Sequence, residues 1–476
     1  MQSFTYTEPA ALESAACNGG ANRFSLPGIA AAGVGTLLAV SLIPEHPAPQ
    51  GALFSAALVM AVGLAMAPMA AAFRDPKALL RTEHVVVLAP IYWLLLDLLQ
   101  GAYSLDGIHW EQVETAFISI GLFVVAVWVG ASGRVWKVPR SILKSVSQDF
   151  SPNTFLGLSV AAFVLGMLPF AIPTNFDVTE MLHYVGTGRW EAPWARGRLG
   201  GWDAFLDQLQ YFGYVLPTLT VVVAHRSGWG NGRTLLCGGM AVIMVIFLAQ
   251  SGSRRVIGVI FGMAFIIWVL TQQRLWTKHM LIAAAAAAAL LVTLEIMLEY
   301  RNVGLAAVTQ TEENQSIFKR DYLHVDDNFY RLCQVIELIP EYYPHTYHKY
   351  FVWVLVRPIP RVFWPGKPVD PGFDLPSAVG AKGVSLSTTV IGELYVAAGF
   401  IGIALGGWFY GRLSGMANQL LTQRTTFSAL IIYATLTMSL FSGVRSMLEL
   451  VLVNYAMLAW IGLSRVIICL RGQNNS

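Results

Sequence analysis

Long apolar runs alternate with short polar segments along most of the chain. The hydrocarbon core of a bilayer is about 30 Å thick and requires about 20 apolar residues in a helix. Twelve runs are close to this length, and we predict that each forms a membrane-spanning helix. Seven consecutive alanines at 283–289 predict close helix packing within the ninth of them. The predicted spans are residues 27–44, 52–73, 85–103, 114–132, 153–173, 204–224, 234–250, 256–271, 279–297, 389–411, 426–443 and 448–467.

The composition agrees with this pattern. Of the 476 residues, 55% are hydrophobic and only 12% are charged, and the mean hydropathy is +0.56. Soluble domains carry about 25% charged residues, so this chain lacks the polar surface that soluble domains need. The first 25 residues are polar and do not resemble a cleavable signal peptide. We therefore predict an all-α polytopic membrane protein, and the net charge of +3 does not indicate a nucleic-acid partner.

The positions of Lys and Arg predict the orientation. The outer loops 45–51 and 104–113 contain neither residue, whereas the short loops on the side of the N-terminus contain several. Cytoplasmic loops are enriched in Lys and Arg, so both termini are predicted in the cytoplasm. The predicted parts are a cytoplasmic segment (1–26), helices 1–9 (27–297), a periplasmic loop subdomain (298–388), helices 10–12 (389–467) and a cytoplasmic tail (468–476).

The segment 298–388 is far longer than a usual connection, and such segments are commonly functional. It is rich in Arg, Tyr, Trp and Pro, and we predict that it folds outside the membrane. Apolar residues at helical spacing predict a helix within 326–340. Six prolines between 357 and 376 predict an irregular end.

One pair of arginines and one single arginine, all near helix ends, are candidate anion ligands. Arg254 and Arg255 follow a very short outer turn, where their planar guanidinium groups suit bidentate binding of phosphate or diphosphate. Their alternative role is snorkelling to lipid headgroups. Arg301 leaves a helix that carries Glu295 and Glu299, so an ion pair is its alternative role.

A proline-rich strap at 357–368 (RPIPRVFWPGKP) carries three cations and an aromatic pair at fixed spacing. Proline restricts the backbone, so the strap is a preorganised platform for an anion and a sugar. Its candidate ligands are Arg357, Arg361, Trp364 and Lys367. The alternative is a loop that only packs over the helix bundle.

Glu393 is predicted about one turn inside the outer face of the membrane, within the sequence TTVIGELY that includes Tyr395. A carboxylate within a membrane helix is a functional candidate by default. Arg445 on the neighbouring hairpin is its predicted partner, and a purely structural pair is the alternative. Gly399, Gly402, Gly406 and Gly407 predict close helix contacts.

His324 and Asp326 are candidate general bases in the outer segment. Asp326 and Asp327 could together hold a divalent cation, and an N-cap of the following helix by Asp327 is the alternative. We predict no metal and no cofactor, because the chain has neither a P-loop nor an HExxH motif. Four unpaired cysteines and interfacial positions for His84, His225 and His279 are also predicted.

The chain resembles the Wzy-type O-antigen and exopolysaccharide polymerases. The resemblance lies in the two cytoplasmic ends, the large outer loop late in the chain, the SGSRR turn (251–255), the strap and the TTVIGELY helix start. The resemblance implies a GT-C-like glycosyltransferase of the bacterial inner membrane. Its substrate would be an undecaprenyl-diphosphate-linked oligosaccharide repeat unit at the periplasmic face, without nucleotide sugars. Membrane lipids and a chain-length-regulating membrane protein are the implied partners.

Under this resemblance, cationic side chains bind the diphosphate that leaves and a carboxylate or histidine accepts the proton of the attacking hydroxyl. Arg254, Arg255, Arg361 and Lys367 are the first choices for the diphosphate, and Arg301, Arg357 and Arg445 the second. Glu393 or His324 is the predicted base, with Asp326 as a weaker candidate.

Four other functions are compatible with such a chain. An O-antigen ligase shares the layout of the polymerases. A transporter or lipid-linked-oligosaccharide flippase usually shows repeated halves, which this chain lacks. A structural partner of a polysaccharide assembly complex is a third possibility. An O-acyltransferase would offer a histidine within a membrane helix, and we predict none there.

Overall fold

The computed structural model describes residues 25–133, 136–146, 149–195, 203–300, 304, 322–323, 325–357, 359, 362–368, 370–381, 386–423 and 426–473. The described residues form helices and turns. The helices are α1 (Ser25–Ser41), α2 (Phe54–Arg74), α3 (Thr82–Gln100), α4 (Trp110–Ser132), α5 (Arg140–Val146), α6 (Pro152–Ala171), α7 (Val178–Val185), α8 (Asp203–Tyr214), α9 (Leu216–Ser227), α10 (Gly232–Gln250), α11 (Arg254–Thr271), α12 (Thr277–Tyr300), α13 (Asn328–Leu338), α14 (His348–Val356), α15 (Leu375–Ala378), α16 (Thr389–Gln423), α17 (Phe427–Arg445) and α18 (Met447–Gln473).

Ten of the helices in the described part of the chain are long and apolar enough to cross a membrane, so the chain is a multi-pass membrane protein. Two predicted spans differ from this set. The first is the apolar helix α1, of which the structure describes 17 residues, fewer than the other membrane helices have. The span predicted at 204–224 is divided into α8 and α9. Pro217 lies in the first turn of α9, and a proline ring cannot continue the preceding helix.

The core of the bundle surrounds α17, which is almost entirely buried. Next to it, α16 packs along α4 at very short distance. A side chain at Gly411 would collide with the carbonyl oxygen of Val127, and one at Gly407 with that of Phe123. Small residues allow helix backbones in a membrane to approach this closely. The close contact that the glycines predicted is therefore confirmed.

At each end of the bundle, hydrogen bonds join residues that are far apart in the chain. At one end, Leu105 N donates to Ala48 O (2.8 Å), and the Tyr330 hydroxyl donates to Asp106 O (3.2 Å). We call this end, which carries the described residues of 322–388, the loop side. At the opposite end, Lys77 Nζ donates to Gln272 O and Thr426 Oγ1 donates to Val146 O (both 2.5 Å).

The alanine run of α12 does not pack as predicted. Only 11% of the membrane-spanning window of this helix is buried, and most of the alanines at 283–289 are exposed. Within the described part of the chain, the run is thus an outward-facing apolar surface on which no neighbouring helix packs closely.

The helix predicted within 326–340 is confirmed as α13. Its predicted apolar face is buried at Phe329, Leu332, Val335 and Ile339. The Phe329 ring lies 5.3 Å from the ring of Phe117 on α4. The middle of the outer segment is thus anchored in the bundle.

Candidate functional site

The site begins with a sharp fold-back in α16. Ala398 and Gly399 have non-helical backbone angles, and the φ of +59° at Gly399 is one that glycine adopts readily. In a straight helix, residues 394 and 402 would be about 12 Å apart along the axis. Here the carbonyl group of Leu394 lies against Gly402, and the Leu394 side chain lies against Gly406. Residues 389–397, the short arm, therefore fold back along residues 400–423, the long arm.

The predicted span at 389–411 is thus not one continuous helix. All residues of the short arm are buried. Backbone N–H groups of Thr346 and Tyr347 donate to Val396 O (3.0 Å) and Ala397 O (2.9 Å) at its C-terminal end. Unpaired carbonyls at a helix end are costly in an apolar environment, so the outer segment completes the short arm.

Glu393 on the short arm binds the junction between α17 and α18. Ser446 is extended there, and its Oγ donates to Glu393 Oε1 (2.7 Å). The backbone N of Met447 donates to Glu393 Oε2 (2.6 Å). A carboxylate is favoured at a helix N-terminus, so Glu393 caps α18. The Tyr350 hydroxyl lies at the same carboxylate, and burial and then the charge of Glu393 raise the pKa of this tyrosine.

Arg445, the predicted partner of Glu393, makes its ion pair elsewhere. Its guanidinium group is 2.7 Å from Asp326 Oδ2. It also lies 6.0 Å from the ring of Trp93. Glu393 remains within its electrostatic range. The predicted direct pair of Glu393 and Arg445 is therefore wrong. Glu393 accepts hydrogen bonds from Ser446 and Met447, which follow Arg445 in the chain. The charge of Arg445 is neutralised by Asp326 of the outer segment.

Arg254 and Arg255 at the start of α11 also have carboxylate partners. Arg254 lies 3.6 Å from Glu295 and donates to Val325 O (2.7 Å). Arg255 lies 2.8 Å from Glu449. Charges at the edge of a hydrocarbon core are costly unless they are paired, which explains why each arginine faces a carboxylate.

These charges meet around α3. Pro90 and the π-helical stretch Ile91–Leu95 interrupt the regular hydrogen bonds of this helix. Asn328 Nδ2 donates to the Trp93 carbonyl (2.9 Å) within the interrupted stretch. One turn further, Asp97 accepts from the backbone N of Val325 and of Asp326 (both 3.2 Å).

Tyr92 lies within electrostatic range of Arg254, Arg445, Asp97 and Glu295. This proximity groups these four charges on the loop side. Asp326 and Glu393 join them through Arg445. Arg255, next to Arg254 in the chain, brings Glu449, so the members come from α3, α11, α12, α16, α17, α18 and the outer segment. The group contains three arginines and five carboxylates. We call it the loop-side cluster, and its members are Arg254, Arg255, Arg445, Asp97, Asp326, Glu295, Glu393 and Glu449.

Asp97, Glu295 and Glu449 were not predicted from the sequence as members of this site. Asp97 and Glu449 lie in predicted membrane spans, so the rule that selected Glu393 could have selected them as well. Glu295 was considered only as a partner for Arg301 on its own helix. Its contact with Arg254 depends on how α11 and α12 pack, which residue spacing does not reveal.

The strap lies on the exposed surface of the loop side. Lys367 Nζ donates to the carbonyl oxygens of Arg357 (2.9 Å) and Ile359 (2.5 Å), which folds the strap onto itself. The Arg357 guanidinium group stacks on the Trp353 ring at 5.1 Å. Trp364 is exposed.

Other predicted site residues occupy different positions. Tyr395 is buried on the short arm, with its ring 6.3 Å from that of His345. Asp327 occupies the N-cap position of α13, as one alternative predicted, but its carboxylate binds Arg331 rather than the helix N-terminus. The predicted candidates Arg301, His324 and Arg361 lie outside the described residues.

His84 lies in the first turn of α3 and is fully buried within the protein, with Nδ1 2.7 Å from Ala78 O. Its predicted position at the membrane interface stays a prediction. The short 3₁₀ turn Pro76–Leu80 folds back over the start of α3 and provides this carbonyl. The chain thus has a histidine within a membrane helix, although it lies at the end opposite the loop-side cluster.

The cysteines in the described residues are unpaired, as predicted. Cys237 and Cys333 are buried, and Cys469 is exposed. Burial raises the pKa of the Cys333 thiol. A buried thiol that keeps its proton is a poor nucleophile, so Cys333 contributes packing beside α4 rather than chemistry.

With three arginines and five carboxylates, the loop-side cluster can exchange partners. An arginine has five N–H donors, so Arg254 can bind Glu295 and a carbonyl oxygen together. A phosphate group that entered could replace a carboxylate at such an arginine without leaving the cation unpaired. Comparisons of this chain with models of known families, with characterised proteins and with solved structures found no match.

Proposed function

We propose that this chain is an integral-membrane glycosyltransferase that polymerises oligosaccharide units carried on a lipid diphosphate. The lipid is undecaprenyl diphosphate, and the reaction takes place on the loop side, which is the periplasmic face of the bacterial inner membrane. Both termini of the chain lie in the cytoplasm. The resemblance of the SGSRR turn, the strap and the TTVIGELY sequence to Wzy-type polymerases supports this assignment.

One structural observation carries the proposal. The loop-side cluster brings together Arg254, Arg255 and Arg445 with the buried Glu393, where two broken helices meet at the base of the outer segment. Discontinuous helices that place charges within a membrane protein are typical of substrate sites.

In the proposed reaction, a sugar hydroxyl of one lipid-linked unit attacks the anomeric carbon of another. The new C–O bond forms as the bond between that carbon and the diphosphate oxygen breaks. The diphosphate leaves with the electron pair, and the hydroxyl proton passes to the base. Arginines that are already held in place stabilise the charge that develops on the diphosphate, an effect worth several kcal/mol.

The residues have distinct proposed roles. Arg254, Arg255 and Arg445 bind the diphosphate, and Asp326, Glu295 and Glu449 hold these arginines in place until substrate enters. Glu393 is the proposed base, and His324 and Asp326 are the other candidates. The carboxylate of Glu393 is bonded by Ser446, Met447 and Tyr350, and two oxygens with four lone pairs keep room for a proton.

The test is to measure polymer length in cells from which the gene of this chain is deleted and variants are expressed. Arg254→Gln and Arg445→Gln should leave single capped repeat units on the lipid. The matched control is Arg331→Gln, because Arg331 also lies on the loop side and also pairs with a carboxylate, Asp327. This control should retain full-length polymer at equal protein abundance.

The other outcomes identify the competing functions. Full-length polymer that stays on the lipid carrier would indicate a ligase, and the absence of externally exposed repeat units would indicate a flippase. Wild-type polymer from both arginine variants, at normal abundance, would remove the loop-side cluster from the reaction.

A further inference from the structure

The outer segment carries an apolar surface that faces away from the protein. It extends over α14 and the strap, and its large side chains are at least one third exposed. The most exposed are Leu355 (67%) and Phe363 (68%). The full set is Phe351, Val352, Leu355, Ile359, Val362, Phe363 and Trp364. Contiguous apolar patches of this kind are unusual on a surface in contact with water.

The two faces of α14 differ in their surroundings. Tyr350 and Val354, one turn apart, are buried, and the helix packs against α16 and α18. Phe351 and Leu355, also one turn apart, face outward. A helix at an aqueous surface would place polar residues on its outward face. In α14 the exposed His348 and Lys349 lie at the start of the helix, and its outward face is apolar from Phe351 to Leu355.

The start of α14 is fixed next to the edge of the lipid-facing surface. Residues 346 and 347, just before it, are hydrogen-bonded to the end of the short arm at Val396 and Ala397. From Phe400 onward, the long arm presents outward-facing apolar residues, among which Ile401 is 70% exposed. The apolar surface of α14 is therefore continuous with the membrane-spanning surface of α16.

Basic and aromatic residues border this surface. Lys349 precedes Phe351, Arg357 follows Leu355, and Lys367 follows Trp364. Long cationic side chains and tryptophans favour the headgroup region, where one end of the side chain meets hydrocarbon and the other meets water. This combination complements the negatively charged phosphates of phospholipid headgroups.

We infer that the described residues of 348–367 are embedded in the loop-side leaflet of the bilayer. Acyl chains cover Phe351, Leu355 and Phe363, and headgroup phosphates face Lys349, Arg357 and Lys367. The opposite face of α14 places Tyr350 beside Glu393, so this helix forms a wall between that leaflet and the buried carboxylate. The inference rests on exposure and packing and holds whichever reaction the loop-side cluster performs.

The experiment measures the environment of single spin labels. In a background with Cys17→Ser and Cys469→Ser, the buried Cys237 and Cys333 are retained, and one cysteine is introduced at Leu355 or Phe363. Ile401→Cys provides the lipid reference, and Glu341→Cys, at an exposed position of the same segment, provides the water reference. The protein is placed as single copies in discs of phosphatidylethanolamine and phosphatidylglycerol, and collision rates with oxygen and with a polar nickel chelate are recorded.

Labels at 355 and 363 should behave like the label at 401. Collisions with the chelate should be at least about tenfold less frequent than at 341, because a polar solute is excluded from hydrocarbon. Collisions with oxygen should be frequent, since oxygen concentrates there.

Two outcomes would overturn the inference. Chelate access like that at 341 would place the segment in water. Protection from both reagents would mean that protein covers it, and single-copy discs exclude a second copy as the cover. If Leu355→Cys does not fold, Val352→Cys on the same face of α14 gives the same measurement.

Discussion

The fold-back of α16 makes a sharp prediction at Gly402. This glycine lies against the main chain of Leu394, one residue after Glu393. A methyl group at position 402 would lie 3.2 Å from the carbonyl carbon of Leu394 and closer than 3.0 Å to its oxygen. Real side chains essentially never approach a carbonyl oxygen so closely, so Gly402→Ala must push the two arms apart.

The size of the effect follows from this geometry. Ordinary contact requires 3.4–4 Å, so the short arm must retreat by roughly an ångström. Overpacking of this kind costs about 1–3 kcal/mol, and the upper end applies because the obstacle is a helix backbone that cannot rotate away. The same movement lengthens the hydrogen bonds of Glu393 to Ser446 and Met447, which are now 2.7 and 2.6 Å.

The assay is the free energy of unfolding of the purified protein in detergent, together with the polymer length that it produces in cells. Gly402→Ala should lower both. Gly239→Ala is the matched control, because Gly239 lies within α10 and nothing is within 4 Å of an added methyl group. Alanine is a better helix former than glycine, so the control should be unchanged or more stable by about 0.5–1 kcal/mol.

Equal stability of Gly402→Ala and the control would refute the fold-back. The short arm would then have to lie elsewhere, and Glu393 would not cap α18. Loss of stability with full polymer length would instead show that the position of the short arm matters more for folding than for the reaction.

Two further predictions concern groups on the loop side. Arg445→Gln or Asp326→Asn should each lower the free energy of unfolding by about 1–3 kcal/mol, because each leaves a partly buried charge without its partner. The double variant should cost less than the sum, and strict additivity in a double-mutant cycle would contradict a direct interaction. Cys333 should react with maleimide more than about tenfold more slowly than the exposed Cys469 in the folded protein at pH 8, since burial raises its pKa. Above about pH 8.5 only the unfolded state releases this proton, so stability should fall as pH rises, and a Cys333→Ala variant should show a shallower decline.

Much of the architecture could be predicted from the sequence. Each membrane helix satisfies its own backbone hydrogen bonds within one apolar run, so its position depends on local composition. The same local logic identified α13, whose apolar residues at helical spacing are buried. The glycines of α16 also predicted close contacts, because a missing side chain is a property of the residue itself.

Some features could not be predicted, because they depend on which helix or turn lies beside the residue concerned. Pro217 divides a predicted span into α8 and α9, although its apolar content alone suggested one helix. The alanines of α12 predicted packing but face outward, because the sequence does not say which helix lies beside them. The burial of His84 depends on the turn Pro76–Leu80, which provides the carbonyl oxygen that its Nδ1 contacts.

By itself, the sequence determined that the chain crosses a membrane, roughly where its helices lie, and that Arg254, Arg255, Glu393 and Arg445 are unusual charges for such an environment. Only the tertiary structure decided which carboxylate faces which arginine, that α16 folds back at Gly399, and that Asp97, Glu295 and Glu449 join the same site. The physical reason is the separation in sequence over which each interaction acts. The hydrophobicity of a helix depends on residues that are neighbours in the chain. Ion pairs join distant residues such as 326 and 445, and their partners are fixed only when the helices pack.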